Sequence, residues 1–303
     1  MTNTTTTRKT NHYFGTLVAL AMMTAILALS ALSANASGKQ GVDLKQSVSG
    51  SNKKDAAVAT TSSTTTSKAS FASGSGANFL GVKVSDHGNL MSFESPQGQE
   101  ATFDGQEGYA VCSNFGTTTT VHGHDTGAVE SGFGVPTFSQ PNPGAFPLTV
   151  TRKTTDGKFQ LKQVWSKPDP VEKDDTVTMT LTNISGATIA HVNLARTGDF
   201  DAGNSPADQG AHTLDSAWQW NDLSSEADTP SVGTMLTALT ATDHGAHIES
   251  RSGWANGGRT QCLPSNTLAT PTTVQDLTMR AVYGLLDFNA GQSKTVKFEY
   301  RRM

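Results

Sequence analysis

The sequence lacks the short motifs that identify most common enzyme classes. It contains no Gly-x-Ser-x-Gly, no phosphate-binding loop, no dinucleotide fingerprint and no His-Glu-x-x-His. These absences argue against the hydrolases, nucleotide-binding enzymes and metalloproteases that depend on those motifs. No window of helical length in the domain shows a sustained apolar stripe at positions i, i+3 and i+4, which argues against helical bundles and α/β folds.

Basic residues are scarce beyond the N-terminal quarter. Residues 77–303 carry 15 Lys and Arg, since seven of the 22 lie upstream, and 24 Asp and Glu, since two of the 26 do, so their net charge is −9. A surface of this sign repels nucleic acid and anionic lipid. It is compatible with a divalent cation, and a glycan or a protein remains possible as the ligand.

The N-terminus has the pattern of an export signal. Arg8 and Lys9 precede an apolar run over residues 17–32, and Ala34-Asn35-Ala36 offers the small-x-small pattern of a cleavage site. We therefore expect residues 1–36 to be a signal peptide and the mature protein to be secreted, periplasmic or at the cell surface. The alternative is a retained anchor, but the run is shorter than the ~20 residues of a spanning helix. No other stretch is apolar enough to span a membrane.

Residues 37–76 are rich in Ser, Thr, Gly, Ala and Lys, and contain few large apolar residues. Such a segment buries too little surface to offset the conformational entropy lost on folding. The composition predicts a disordered tether, followed by a folded domain over residues 77–303.

The two cysteines, Cys112 and Cys262, lie in that domain. An even count in an exported chain favours a disulfide, and two cysteines allow only one pairing. Two buried free thiols are the alternative.

The sequence pattern of the domain predicts a succession of short strands. Residues 176–182 alternate Thr with Val, Met and Leu, and residues 295–301 alternate in the same way. Gly-containing turns separate such runs, as at Asp86-His87-Gly88 and Asp156-Gly157. The pattern predicts an all-β, antiparallel β-sandwich, either one large sandwich or two small ones packed together.

Two patches, residues 171–195 and 286–296, resemble bacterial extracellular immunoglobulin-like modules. The first contains Thr-Leu-Thr-Asn-Ile-Ser-Gly at a strand end, and the second contains Gly-Gln-Ser-Lys-Thr-Val at the start of the closing strand. The resemblance implies a sandwich fold and an extracellular setting, and it implies no activity.

The segment after residue 194 offers oxygen ligands for a cation. Asp199, Asp201 and Asn204 lie in a Gly-containing stretch that follows a predicted strand, which is a chemistry that Ca²⁺ prefers. The alternative is a structural clasp in which Arg196 pairs with Asp199 or Asp201.

The histidines suggest a second, alternative site. His122, His124 and Asp125 lie within four residues, and His244 and His247 are three apart. If these segments met, their imidazoles and carboxylate could ligate a metal or serve an enzyme. Turn formation is the simpler interpretation of Asp243-His244-Gly245.

Trp218 and Trp220 would share one face of an extended strand, where paired indoles can stack on sugar rings. Packing in the core is the alternative. The sequence favours a binding or structural protein with an unidentified ligand. The second possibility is a carbohydrate-active β-sandwich enzyme of the lyase or epimerase type.

Overall fold

The computed structural model describes residues 66–114, 118–201, 208–221, 232–250, 262 and 276–303. The predicted signal peptide, most of the predicted tether and Asn204 lie outside these residues. The described chain is built almost wholly from strands, with one short 3-10 helix at Gly76–Asn78, and this confirms the all-β class. No helix in the described part of the chain is long and apolar enough to cross a membrane.

The described residues form seventeen strands, which are numbered in chain order. They are β1 Ser67–Ser73, β2 Leu80–Ser85, β3 Leu90–Glu94, β4 Thr102–Ser113, β5 Thr120–Asp125, β6 Glu130–Ser131, β7 Thr137–Ser139, β8 Leu148–Lys153, β9 Phe159–Trp165, β10 Asp174–Asn183, β11 Asn193–Phe200, β12 Asp208–His212, β13 Ser216–Asn221, β14 Gly233–Ala238, β15 His244–Ser250, β16 Leu277–Gly284 and β17 Ser293–Arg302.

An eight-stranded antiparallel sheet has the order β12-β13-β14-β17-β10-β9-β8-β7. Its central pair is β10 and β17, with Val177 opposite Phe298 and Met179 opposite Val296. The apolar members of both strands are buried, and the Thr residues of β10 lie on the other face, as the period-two pattern predicted. The alternation therefore fixes which face of this sheet is packed against the core.

A six-stranded antiparallel sheet has the order β15-β16-β11-β4-β5-β6. Its central strand, β11, is buried at every position, on both faces. The sheet therefore has an inner face against the eight-stranded sheet and an outer face that is also shielded from solvent around β11.

A third sheet, of order β1-β2-β3, contains the chain's first described strand. Strand β1 pairs with β2 from Ser73 opposite Leu80 back to Ser67 opposite Ser85, and Ala69 is buried. Residues 67–73 are thus strand, although their composition placed them in the tether. Backbone hydrogen bonds to β2 stabilise a segment that has only one large apolar side chain, Phe71.

The buried apolar residues of the three sheets form one contiguous core cluster. This favours one large sandwich over two small ones. A smaller apolar cluster lies on the outer face of the six-stranded sheet and consists of Ala110, Cys112, Ala195, Cys262 and Val282.

The predicted disulfide is present. Cys112 and Cys262 are bonded, with their Cα atoms 5.8 Å apart and a sequence separation of 150. The side-chain amide of Asn193 donates a hydrogen bond to the carbonyl oxygen of Cys262 at 3.0 Å. The disulfide therefore fixes Cys262 against the outer face of the six-stranded sheet.

Candidate functional site

The alternation of β11 separates two sets of polar groups. Leu194, Arg196 and Phe200 face the core, whereas Ala195, Thr197 and Asp199 face the outer side of the sheet. Side chains alternate between the two faces in the same way on the neighbouring strands β16 and β15, where Met279 and Ile248 lie in the core. Polar residues between these apolar positions must therefore point to the outer face.

Six charged or titratable residues gather on that outer face, and we call them the outer-face cluster. Asp199 lies opposite Thr278, which lies opposite Glu249, and Arg280 lies opposite His247. Because neighbouring strands are about 4.8 Å apart, the cluster spans about 10 Å across three strands. Its members are Asp199, Asp201, His247, Glu249, Asp276 and Arg280.

Three of these carboxylates meet closely. Ligand oxygens of Asp199, Asp201 and Asp276 all lie within 4.8 Å of one another. Asp199 and Asp201 are buried, and Asp276 is partly exposed. Asp199 and Asp201 thus lie close together, while Asn204 lies outside the described residues, and the binding of a cation by this set stays a prediction.

The other half of the cluster holds a buried ion pair beside a neutral imidazole. An Nη of Arg280 contacts a carboxylate oxygen of Glu249. Burial lowers the pKa of Arg280 and raises the pKa of Glu249, and the opposite charge of each partner counteracts the shift of the other. Burial, with the charges of Arg280 and His212, lowers the pKa of His247 to about 3. His247 is therefore uncharged at neutral pH.

Two donor or acceptor atoms in this half lack a protein partner among the described residues. They are Nε2 of His247 and Nε of Arg280, and both residues are only 1% exposed. Buried polar atoms are usually hydrogen-bonded, since an unsatisfied group loses its hydration without compensation. Water or a ligand could therefore supply the hydrogen bonds that these two atoms lack within the described residues.

The alternative clasp between Arg196 and the aspartates is wrong. Arg196 points into the core, where it donates from Nη2 to Glu107 Oε2 at 2.7 Å and from Nη1 to Gln163 Oε1 at 2.8 Å. Proximity in sequence misled this interpretation, because Arg196 and Asp199 are three residues apart and lie on opposite faces of the strand.

The predicted histidine site does not assemble. His122 bonds to Asp156 at 2.6 Å and to Ser113 at 2.7 Å, while His244 bonds to Asp215 at 2.7 Å. Strands β5 and β15 are separated by three strands of the sheet, so His124 and His247 lie about 19 Å apart.

Asp125, the carboxylate of that prediction, belongs to an interior network that sequence reasoning missed. It contacts His87 Nδ1 at 2.9 Å and accepts from Arg152 Nη1 at 2.7 Å. Glu130 lies 3.2 Å from the same His87 nitrogen and also contacts Arg152. The tripeptide Asp86-His87-Gly88 does form the turn between β2 and β3, with Gly88 at φ 85°.

The interior network is electrostatically compensated. Hydrogen bonds to Asp125 and Glu130 raise the pKa of His87 to about 9. Burial alone would raise the pKa of Glu130, but His87 and Arg152 lower it to about 2. His87, Asp125 and Glu130 have the composition of a metal site. The guanidinium of Arg152, however, already neutralises its carboxylates.

Trp218 and Trp220 share one face of β13, as predicted. Both are half-buried, and the residues that alternate with them, Ala217 and Gln219, are buried. Gly233 lies opposite Trp220 on β14 and places no side chain beside that indole. The pair thus lies on the face of the eight-stranded sheet that is turned away from the core.

No family model matches the chain, and no curated protein matches it. The structure is similar to a bacterial glucoamylase that was solved in complex with acarbose, with 9% sequence identity and a TM-score of 0.52. That similarity covers 84% of this chain but only 34% of the glucoamylase. A polysaccharide lyase gives 11% identity and a TM-score of 0.39, over 78% of this chain and 32% of the lyase.

At these identities the comparison with the glucoamylase describes a shared fold, and the chain spans about a third of that enzyme's length. Neither protein is described as an immunoglobulin-like module, so that resemblance stays a prediction. The comparison with the glucoamylase shows that part of that enzyme has a fold similar to the fold of this chain.

Proposed function

We propose that this chain is an exported carbohydrate-binding protein whose ligand contacts the outer-face cluster. The observation that supports this is a pair of buried atoms, Nε2 of His247 and Nε of Arg280, that have no hydrogen-bond partner within the described part of the chain and lie beside a group of carboxylates. A sugar hydroxyl both donates and accepts hydrogen bonds, so a row of hydroxyls can satisfy such a mixed set of groups.

The other features of the chain are compatible with this ligand class. Its net negative charge disfavours nucleic acid, and its fold is similar to part of a glucoamylase solved in complex with acarbose. Asp276, the partly exposed member of the cluster, marks the side from which solvent and ligand reach it. The similarity in fold motivates the choice of ligand class but does not show function, since one fold can host many functions.

The test is a glycan array with the mature chain, followed by calorimetry with the best ligand. His247→Gln keeps the size of the side chain but changes the donor and acceptor geometry, and it should weaken binding by about tenfold. His191→Asn is the matched control, because His191 is exposed and Asn tolerates its positive φ of 49°. Equal affinity of the His247→Gln variant and the native chain would refute the proposed location.

A Ca²⁺ ion held by Asp199, Asp201 and Asp276 is part of the proposal. Three carboxylate oxygens within 4.8 Å of one another are close enough to bind a single divalent cation together. Three ligands fall short of the 6–8 that Ca²⁺ takes, so carbonyl oxygens or water would complete the shell.

Calcium should raise the melting temperature in a concentration-dependent way, and Asp201→Asn should abolish the rise. Asp287→Asn is the control, since Asp287 is exposed and belongs to a different loop. An unchanged melting temperature at millimolar Ca²⁺ would remove the ion from the proposal without affecting the carbohydrate site.

A second candidate is an enzyme of the lyase or epimerase type at the same cluster. The specific observation is that His247 is held neutral, with a pKa of about 3, two residues from Glu249, whose pKa is raised. A neutral imidazole could accept the proton on the carbon next to a uronate carboxylate, and the imidazolium so formed could return that proton to the leaving oxygen.

In elimination, the C–H electrons form the new C=C bond while the neighbouring glycosidic C–O bond breaks and its oxygen takes a proton. Ultraviolet absorbance of the unsaturated product, measured with uronate polymers, detects this reaction. Binding without any such product, and without epimerisation by NMR, would leave the binding protein as the function.

A further inference from the structure

A surface depression lies at the far edge of the eight-stranded sheet, away from the outer-face cluster. It has a volume of about 580 Å³ and lies between β1, the edge strand β7 and the loop that follows β7. Its volume falls within the range of small-molecule sites, roughly 300–1,000 Å³. Its lining residues include Ser67, Lys68, Phe138, Ser139, Gln140 and Asn142.

The walls of this depression are fixed by hydrogen bonds. Gln140 Nε2 donates to the carbonyl oxygen of Asn142 at 2.7 Å and to that of Lys68 at 3.3 Å, which ties the loop to β1. The backbone NH of Ser70 donates to Gly144 at 3.0 Å. A site with fixed walls loses little conformational entropy when a ligand binds.

The charge of the depression contrasts with that of the protein. Lys68 is the one charged residue among its described lining residues, and none of them is acidic. The Nζ of Lys68 lies 3.7 Å from the centroid of the Phe138 ring. An ammonium held in this way, in an otherwise acidic protein, is suited to bind an anionic group.

Phe138 supplies the second recognition element. Its side chain is 47% exposed although it lies in a strand, and Ser139 and Asn142 border it. An exposed ring beside hydroxyl and amide groups is suited to the face and edge of a sugar ring.

We propose that this depression binds an acidic saccharide, with the carboxylate of a uronic acid on Lys68 and the sugar ring on Phe138. Ser67, Ser139 and Asn142 also line the depression, and their polar backbone or side-chain groups can bond the sugar hydroxyls. This site is separate from the outer-face cluster and does not depend on the proposed function of that cluster.

Calorimetry with the mature chain tests the proposal, using trigalacturonate and its methyl-esterified form, which carries no charge. Trigalacturonate should bind, the ester should bind about tenfold more weakly, and rising salt should weaken only the acid. Lys68→Gln should reduce affinity for the acid by about tenfold, which is about 1.4 kcal/mol. Phe138→Ala should weaken both ligands by about fivefold, as expected for a lost ring contact.

Lys153→Gln is the matched control, because Lys153 is exposed on β8 and does not line the depression. A second binding event that persists unchanged in the Lys68→Gln variant would belong to another site, such as the outer-face cluster, and this separates the two. Equal binding of acid and ester, preference for a sulfated trisaccharide, or an unaffected Lys68→Gln variant would each overturn the proposal.

Discussion

The buried pair of Arg196 and Glu107 gives the sharpest test of how the sandwich is stabilised. Both side chains are fully buried, and Arg196 donates from Nε to Glu107 Oε1 at 2.8 Å. Glu107 also accepts from the backbone NH of Leu90 at 2.7 Å and from the hydroxyl of Tyr300. Burial raises the pKa of Glu107, and the charge of Arg196 opposes this shift.

Arg196→Met removes the charge and keeps most of the apolar stem, so it leaves Glu107 buried without its counter-charge. Breaking one side of a buried ion pair costs about 3–5 kcal/mol. At about 2–4 °C per kcal/mol for a domain of this size, the melting temperature should fall by about 6–20 °C.

The double variant Arg196→Met with Glu107→Gln should recover much of the loss, since a neutral amide costs less to bury than an unpaired carboxylate. Urea unfolding of the native chain, both single variants and the double variant gives the coupling free energy. A loss under about 1 kcal/mol for Arg196→Met, or a double variant no better than the single one, would refute the reasoning.

Three further predictions concern other parts of the fold. The pKa of His87 rises from 6.5 to about 9 on folding. The stabilisation that His87 contributes is therefore complete below pH 6.5 and is lost as the pH rises through about 9. Urea unfolding across this range measures the loss, and His87→Asn should reduce the pH dependence of the unfolding free energy. Replacing Cys112 and Cys262 by Ser should lower the unfolding free energy by about 5 kcal/mol in calorimetry. Trp218→Ala should weaken binding to an insoluble polysaccharide by about 1 kcal/mol, measured as the protein removed from solution by the polysaccharide. An unchanged affinity would leave the indole as a packing residue.

Strands in which apolar and polar residues alternate strongly were predictable, because one face of the sheet packs against the core and the other face does not. Strand β10 follows its Thr-apolar pattern to within two residues at its start and one at its end. Strand β1 was missed because its residues are Ser, Ala and Lys apart from one Phe. Its position depends on pairing with β2, a non-local interaction that composition does not reveal.

The candidate site was predictable only in its local part. Asp199 and Asp201 are two residues apart, so their proximity follows from the sequence. Asp276 joins them because β11 pairs with β16, with Asp199 opposite Thr278. Asp276 lies some 75 residues later in the chain and joins the site only through strand pairing, so no local sequence pattern indicates it.

The two faces of the six-stranded sheet show why the outer-face cluster is the stronger candidate for binding. On the inner face Arg196, Glu107 and Gln163 bond to one another, and none of their polar side-chain atoms is left unsatisfied. On the outer face Arg280 also pairs with a carboxylate, but its Nε and the nearby His247 Nε2 have no protein partner among the described residues. Both arrangements carry the cost of burying charge, yet only the inner one recovers it within the protein. The outer arrangement is therefore the one whose hydrogen bonds a ligand can complete.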